Sequence, residues 1–119
     1  MPGQTGRLRS NQQYREVLKR GRSVADSLAV LYVLRRADGA PGNRFGVSVP
    51  RRFGTAVARN RVRRLFWEAY RLEAAALQEG ADLVIIPRTG ARRKGYVEVA
   101  ASVRHLLSRQ GLIGPEAAR

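Results

Sequence analysis

The chain of 119 residues has no cysteine, one histidine and only nine acidic residues. Without cysteine there is no disulfide, no thiolate metal ligand and no cysteine nucleophile, and a reducing compartment is favoured. With His105 alone, a nucleophile–histidine–acid arrangement has one place to form, and nothing around that residue points to one. It lies beside Leu106 and Leu107 and reads as an ordinary, partly exposed side chain. The carboxylates form no DxD or ExxH set, and neither a GxxxxGK nor a GxGxxG loop occurs. No apolar run approaches the roughly 20 residues needed to cross a bilayer. The start, Met1 to Arg7, lacks the apolar core of a secretion signal. The expectation is a soluble cytoplasmic protein, without a membrane partner, that carries neither catalytic residues nor metal ligands of its own.

What is present is cationic charge. Lys and Arg number 23 against 9 Asp and Glu, a formal net charge of +14. Hydrophobic residues make up 44% of the chain, which excludes a disordered polybasic tail, because such tails lack core-forming residues. The length fits one domain. The excess charge therefore decorates a folded body, and a polyanion is the first partner to consider.

Periodicity sets out the elements. Ser10-Asn11-Gln12-Gln13 has the form of a capping box, and Tyr14, Val17 and Leu18 follow at helical spacing, so a helix is expected over roughly 10–20, with Gly21 as a left-handed stop. Leu28 to Leu34 reads as a strand covered on both faces, and Arg44 to Val49 alternates with Phe45, Val47 and Val49 on one face. These two strands, joined by the turn-forming residues 37–43, are expected to pair as an antiparallel hairpin. A long helix is expected from Thr55 to about Glu79, with Ala58, Val62, Leu65, Phe66, Ala69, Leu72 and Ala76 on the core side. Asp82 to Ile86 reads as an interior strand, Ala91 to Gly95 as a basic loop, and Tyr96 to Gly111 as a last helix with its stop. The result is one α+β domain over residues 7–111, between tails at 1–6 and 112–119.

The stretch from Arg51 to Arg71 concentrates the charge. Arg51, Arg52, Arg59, Arg61, Arg63, Arg64 and Arg71 stand off the expected core positions. Arginine's planar fork holds two phosphate oxygens at once. Cations at a helix start repel one another and oppose the helix dipole, a cost that makes sense if an anion sits there. The plain alternative is a solvated face, which would ordinarily interleave both signs. Asn60, within the arginine face, has an amide suited to a ribose hydroxyl, a base edge or a metal-bound water. Trp67 projects from the same face and is expected to pack over the stems of Arg63 and Arg71.

Tyr14, Leu18, Tyr32 and Phe45 offer a second surface, since a single-stranded nucleic acid stacks on aromatic rings. Aromatics at helical and strand spacing are usually core, and from spacing alone that is the stronger reading. Three functions stay open on residues alone: an accessory RNA-binding subunit, a ribosomal or chaperone-like RNA binder, and a self-sufficient basic nuclease.

The run Phe53-Gly54-x-Ala56-Val57-x-Arg59-Asn60-Arg61-x-Arg63-Arg64 resembles the protein subunit of bacterial ribonuclease P. The likeness extends to Arg7-Leu8-Arg9, Tyr14 to Gly21, Leu31-Tyr32, Gly46 to Val49, Asp82 to Arg88 and the closing helix. It implies a sheet of about four strands with three helices, like the second domain of ribosomal protein S5, including a left-handed β-α-β crossover. It implies an endoribonuclease whose catalytic centre is a metal-dependent RNA, with Mg2+ bound mainly by that RNA and the protein alone inactive. The partners implied are the catalytic RNA and precursor tRNA, whose single-stranded 5′ leader lies in a cleft of the protein. On this resemblance Arg52, Arg59, Asn60, Arg61, Arg63, Arg64 and Arg71 face the catalytic RNA, and Tyr14, Leu18, Tyr32 and Arg52 form the leader cleft. Two positions depart from the family pattern: Leu18 is often phenylalanine there, and Trp67 is usually arginine.

Overall fold

A computed structural model describes residues 5–113. Five strands form one sheet: β1 (Thr5–Arg7), β2 (Arg22–Ala25), β3 (Ala29–Arg35), β4 (Asn43–Val47) and β5 (Ala81–Pro87). Three helices accompany it: α1 (Asn11–Arg20), α2 (Ala56–Glu73) and α3 (Tyr96–Arg109). The sheet order is β1-β4-β5-β3-β2. β5 runs parallel to β4 and antiparallel to β3, and β1 runs parallel to β4. The fold is α+β, with β4-α2-β5 as its β-α-β unit.

The antiparallel hairpin expected between residues 28–34 (β3) and 44–49 (β4) does not form, because β5 lies between β3 and β4. The reason is burial. All but one residue of β5 is buried, so it needs a helix on each face and a strand on each edge. Placing it centrally puts β3 and β4 two strand spacings apart, roughly 10 Å. Arg36 closes the long connection: its guanidinium donates to the carbonyls of Ala40 (2.9 Å), Gly42 (2.9 Å) and Ala81 (3.0 Å).

Two short edge strands escaped the periodicity reading. β1 takes in Thr5 and Gly6, within the expected N-terminal tail, and Leu112 and Ile113 of the expected C-terminal tail are buried. The remainder of both expected tails, 1–4 and 114–119, lies outside the described residues. β2 follows α1 directly. Gly21 is extended (φ −77°, ψ 159°), not left-handed. Glycine is required there by space, since a Cβ would overlap the Val17 carbonyl and come 3.0 Å from that of Val33.

The helix starts agree with their local chemistry. Ser10 Oγ accepts from the Gln13 amide (3.1 Å), and Gln13 Oε1 accepts from the Ser10 amide (3.2 Å), completing the capping box. Thr55 Oγ1 accepts from the Ala58 amide (3.1 Å) at the start of α2. At the far end of α3, Gly111 is left-handed (φ 76°), as its position predicts.

Strand alternation divides the packing. Ala29, Leu31, Val33, Phe45, Val47, Leu83 and Ile85 face α2 and α3 in the main core. Val84, with Tyr32, Leu34 and Ile86, faces the opposite side, where α1 brings Tyr14 and Val17. The buried arc of α2 is centred on Val62, Phe66, Ala69, Tyr70 and Glu73. That is a turn of about 50° from the expected core arc. Leu72, expected in the core, is 73% exposed. Phe45 causes the rotation: Tyr70 stacks on it at 3.9 Å, and Trp67 meets it edge-on at 4.8 Å. Such pairs stabilise by about 0.5–1.5 kcal/mol beyond the area they bury. Glu73, also buried, accepts from Arg104 of α3 at 2.9 Å.

Candidate nucleic-acid interface

Between β4 and α2 the chain makes a single 3-10 turn, Arg51–Phe53, entered from Pro50. Phe53 is buried and anchors the turn, while Arg51 and Arg52 point to solvent. The α2 arginines that follow are not equivalent. Arg59 is half-buried, and its Nη1 donates to the Gly54 carbonyl at 2.8 Å. Asn60 Oδ1 accepts from Arg63 Nη1 at 2.9 Å, so the two side chains hold each other one helical turn apart. Arg61 Nη2 donates to the Lys94 carbonyl (3.2 Å), and Arg71 pairs with Glu68 (3.1 Å). Arg64 is exposed, and its side chain makes no hydrogen bond or ion pair among the described residues.

Trp67 is held differently from the sequence expectation. Its partner is Arg7 of β1, whose guanidinium carbon lies 4.3 Å from the ring centroid, rather than the stems of Arg63 and Arg71. The indole is half-buried against Phe45, so it carries the cation on a rigid plate. Arg7 thereby joins the exposed cations beside α2, a position that sequence spacing does not reveal.

On the α1 side of the sheet, Gly46 pairs with Val84 and Val84 with Tyr32, placing three residues in one row across β4, β5 and β3. The Tyr14 ring packs directly over Gly46. Both tyrosines are half-buried, and Phe45, considered with them from spacing, is instead core. Burial pushes the Tyr14 phenol above its ordinary value, while the nearby charges of Arg7 and Arg63 pull it down. Tyr14, Arg7 and Arg63 thus come together from α1, β1 and α2.

Beyond Tyr32 the sheet face opens into a groove of about 580 Å³. Val30, Tyr32 and Ile86 form its floor and wall, and Arg52, Phe53 and Arg88 border it. Tyr32 and Arg52 therefore share one groove. Leu18 lies on α1 outside that lining and is 36% exposed. Arg88 is the cation the motif reading did not single out; it stands at the end of β5, and its Nη1 donates to the Asp26 carbonyl (3.0 Å). An apolar floor, a phenol and exposed guanidinium groups are what an extended polynucleotide needs: planes for bases and cations for phosphates.

Among the described residues, no group of three or more His, Asp or Glu side chains is gathered to hold a metal ion. No helix is long and apolar enough to cross a membrane. His105 is exposed on α3, away from the groove lining.

The fold and site define a class: a small α+β domain whose arginine-bearing helix begins beside a tyrosine-lined sheet groove. The Ribonuclease P family matches residues 2–111, and the chain belongs to that family. It is 42% identical over 106 residues to the ribonuclease P protein component of Clostridium novyi (strain NT), covering 89% of this chain and 94% of the relative. The corresponding protein of Clostridium kluyveri is 41% identical over 108 residues, covering 89% and 95%. The fold is similar to that of the RNase P protein of Staphylococcus aureus, with a TM-score of 0.81 at 25% identity, covering 91% of this chain and 97% of the other. It is also similar to the Thermotoga maritima protein, with a TM-score of 0.78 at 29% identity, covering 87% and 96%.

Proposed function

We propose that this chain is the RNA-binding protein subunit of a ribonuclease P holoenzyme, a cytoplasmic ribonucleoprotein. It binds the catalytic RNA through the exposed cations of α2 and its preceding turn. It holds the single-stranded 5′ leader of precursor tRNA in the groove between Tyr32 and Arg52. The observation that carries this reading is that groove. Its apolar floor runs along the open sheet face and its rim carries Arg52 and Arg88, while the motif-bearing helix starts at the same turn.

In this reading the protein works by binding and electrostatics. Guanidinium groups offset phosphate repulsion where two RNAs meet, and the groove keeps the leader extended. Hydrolysis of the phosphodiester belongs to the RNA, which supplies the Mg2+ ions that the reaction uses. No side chain of this protein is assigned a proton-transfer or nucleophilic role.

The test is reconstitution with catalytic RNA and precursor tRNA at low magnesium. Cleavage is expected to be faster with the protein than without it, and the protein alone is expected to leave the substrate intact. An equal rate with and without protein would sink the assignment. Tyr32→Ala addresses the groove itself. It should weaken binding of leader-bearing substrate about fivefold or more, in line with a base stack on an aromatic ring, and leave binding of catalytic RNA nearly unchanged. Equal losses for both RNAs would return Tyr32 to a purely structural role.

A further inference from the structure

The turn that presents Arg52 is held from outside by a second arginine. Arg92, in the connection between β5 and α3, donates from Nε to the Phe53 carbonyl (2.5 Å) and from Nη2 to the Arg52 carbonyl (2.9 Å). Arg59 takes the next carbonyl, that of Gly54. Three successive carbonyls, 52 to 54, therefore each accept from a guanidinium group. Charge-assisted bonds of this kind are about twice as strong as neutral ones.

The base of Arg92 is itself fixed. Ala91, next to it, is buried, and Gly90 lies so close to the Ser27 carbonyl that no side chain fits there. The same connection receives Arg61 through the Lys94 carbonyl. Residues 88–95 thus brace the turn at 51–54 against the β2–β3 loop on one side and α2 on the other. The guanidinium groups of Arg59, Arg61 and Arg92 thus all donate to main-chain carbonyls of this region.

We propose that Arg92 is a positioning residue for Arg52, fixing the basic rim of the groove without itself touching the substrate; this rests on the groove being the leader site. Lysine cannot replace it fully, because an ammonium is a point donor and the two carbonyls are met by a planar fork.

The experiment compares Arg92→Ala and Arg92→Lys with Arg93→Ala, which removes the same unit charge from a neighbouring side chain that makes no hydrogen bond among the described residues. Amide hydrogen exchange on the protein reads the brace directly, because the Phe53 and Gly54 amides close the turn onto Pro50 and Arg51. Both should exchange about tenfold faster in Arg92→Ala, as expected for a locally loosened turn, and at the native rate in Arg93→Ala. In the reconstituted holoenzyme, Arg92→Ala should raise KM for leader-bearing substrate about fivefold with kcat within twofold, the pattern of lost uniform binding. Added to Arg52→Ala, it should raise KM little further, because the two changes act through one contact. Arg92→Lys should fall between the native protein and Arg92→Ala, and it serves as the comparison if the alanine variant unfolds.

Unchanged exchange at Phe53 and Gly54 would overturn the proposal, as would equal KM effects from Arg92→Ala and Arg93→Ala, or full additivity with Arg52→Ala. If Arg52→Ala raises KM and Arg92→Ala does not, the groove keeps its assignment and the positioning role alone falls. If Arg52→Ala leaves KM unchanged, the groove assignment falls and the positioning role falls with it, even where exchange responds.

Discussion

The ring of Tyr14, on α1, occupies the space that a side chain at position 46 of β4 would need. A Cβ built on Gly46 would stand 2.5 Å from the Tyr14 Cζ and 2.7 Å from its Cε1, inside any real carbon–carbon contact. The glycine thus brings the phenol onto the sheet backbone, in the same cross-strand row as Val84 and Tyr32. Seating the helix there leaves the sheet face beyond Tyr32 uncovered, and that uncovered face is the groove.

Gly46→Ala should therefore destabilise the protein by about 1–3 kcal/mol, the usual cost of overfilling a packed site. Measured by urea denaturation, the loss should shrink markedly when Tyr14→Ala is also present, since the two positions compete for one volume. A full loss in the Tyr14→Ala background would place the clash elsewhere.

The Tyr14 phenol should titrate above its ordinary value of 10.0, because burial penalises the phenolate more than Arg7 and Arg63 favour it. With the folded-state value raised, the stability this group contributes is fully present below the unfolded value and is lost as pH rises through the folded one. The tyrosinate absorbance difference between native protein and Tyr14→Phe isolates this transition. A midpoint at or below 10.0 would show that the two arginines outweigh burial. Arg63→Gln, which removes one of the opposing charges, should move the midpoint further up.

Asp82 is buried on β5 and accepts from Arg44 at 2.7 and 2.6 Å and from Arg36 at 3.1 Å. Asp82→Asn should cost about 3 kcal/mol or more, because it leaves the buried Arg36 cation without its carboxylate. Arg44→Gln should cost less, since the Arg44 side chain is more exposed and water compensates in part. Chemical denaturation measures both; a loss below about 1 kcal/mol for Asp82→Asn would contradict the bridging role.

Much of the candidate site was legible in the linear order because it is carried by short-range chemistry. The Arg59-Asn60-Arg61 run, the helix start at Thr55 and the Ser10–Gln13 box all lie within one or two helical turns. What each arginine does was not legible. Arg59 and Arg64 look alike in sequence, yet one is bound to the Gly54 carbonyl and the other is exposed. Trp67 had the right helix and the wrong neighbour, because Arg7 reaches it through the β1–β4 pairing, far off in sequence. Leu72 fell outside the core because a stacked aromatic pair, rather than the aliphatic stripe, sets the rotation of α2.

By itself, then, the amino-acid order determined the three helices with their starts, an interior strand at Asp82–Ile86, and a cationic surplus gathered between Arg51 and Arg71. These follow from local hydrogen bonding, from hydrophobic periodicity and from the identity of the side chains. Only the tertiary structure decided that β5 separates β3 from β4, that Tyr32 and Arg52 share a groove, and that Arg92 braces the turn between them. Those outcomes depend on which distant segments bury each other's faces and on which single contacts, such as Tyr14 over Gly46, exclude the alternatives. The missing cysteines excluded disulfide and thiolate chemistry; where the arginines were aimed, folding alone settled.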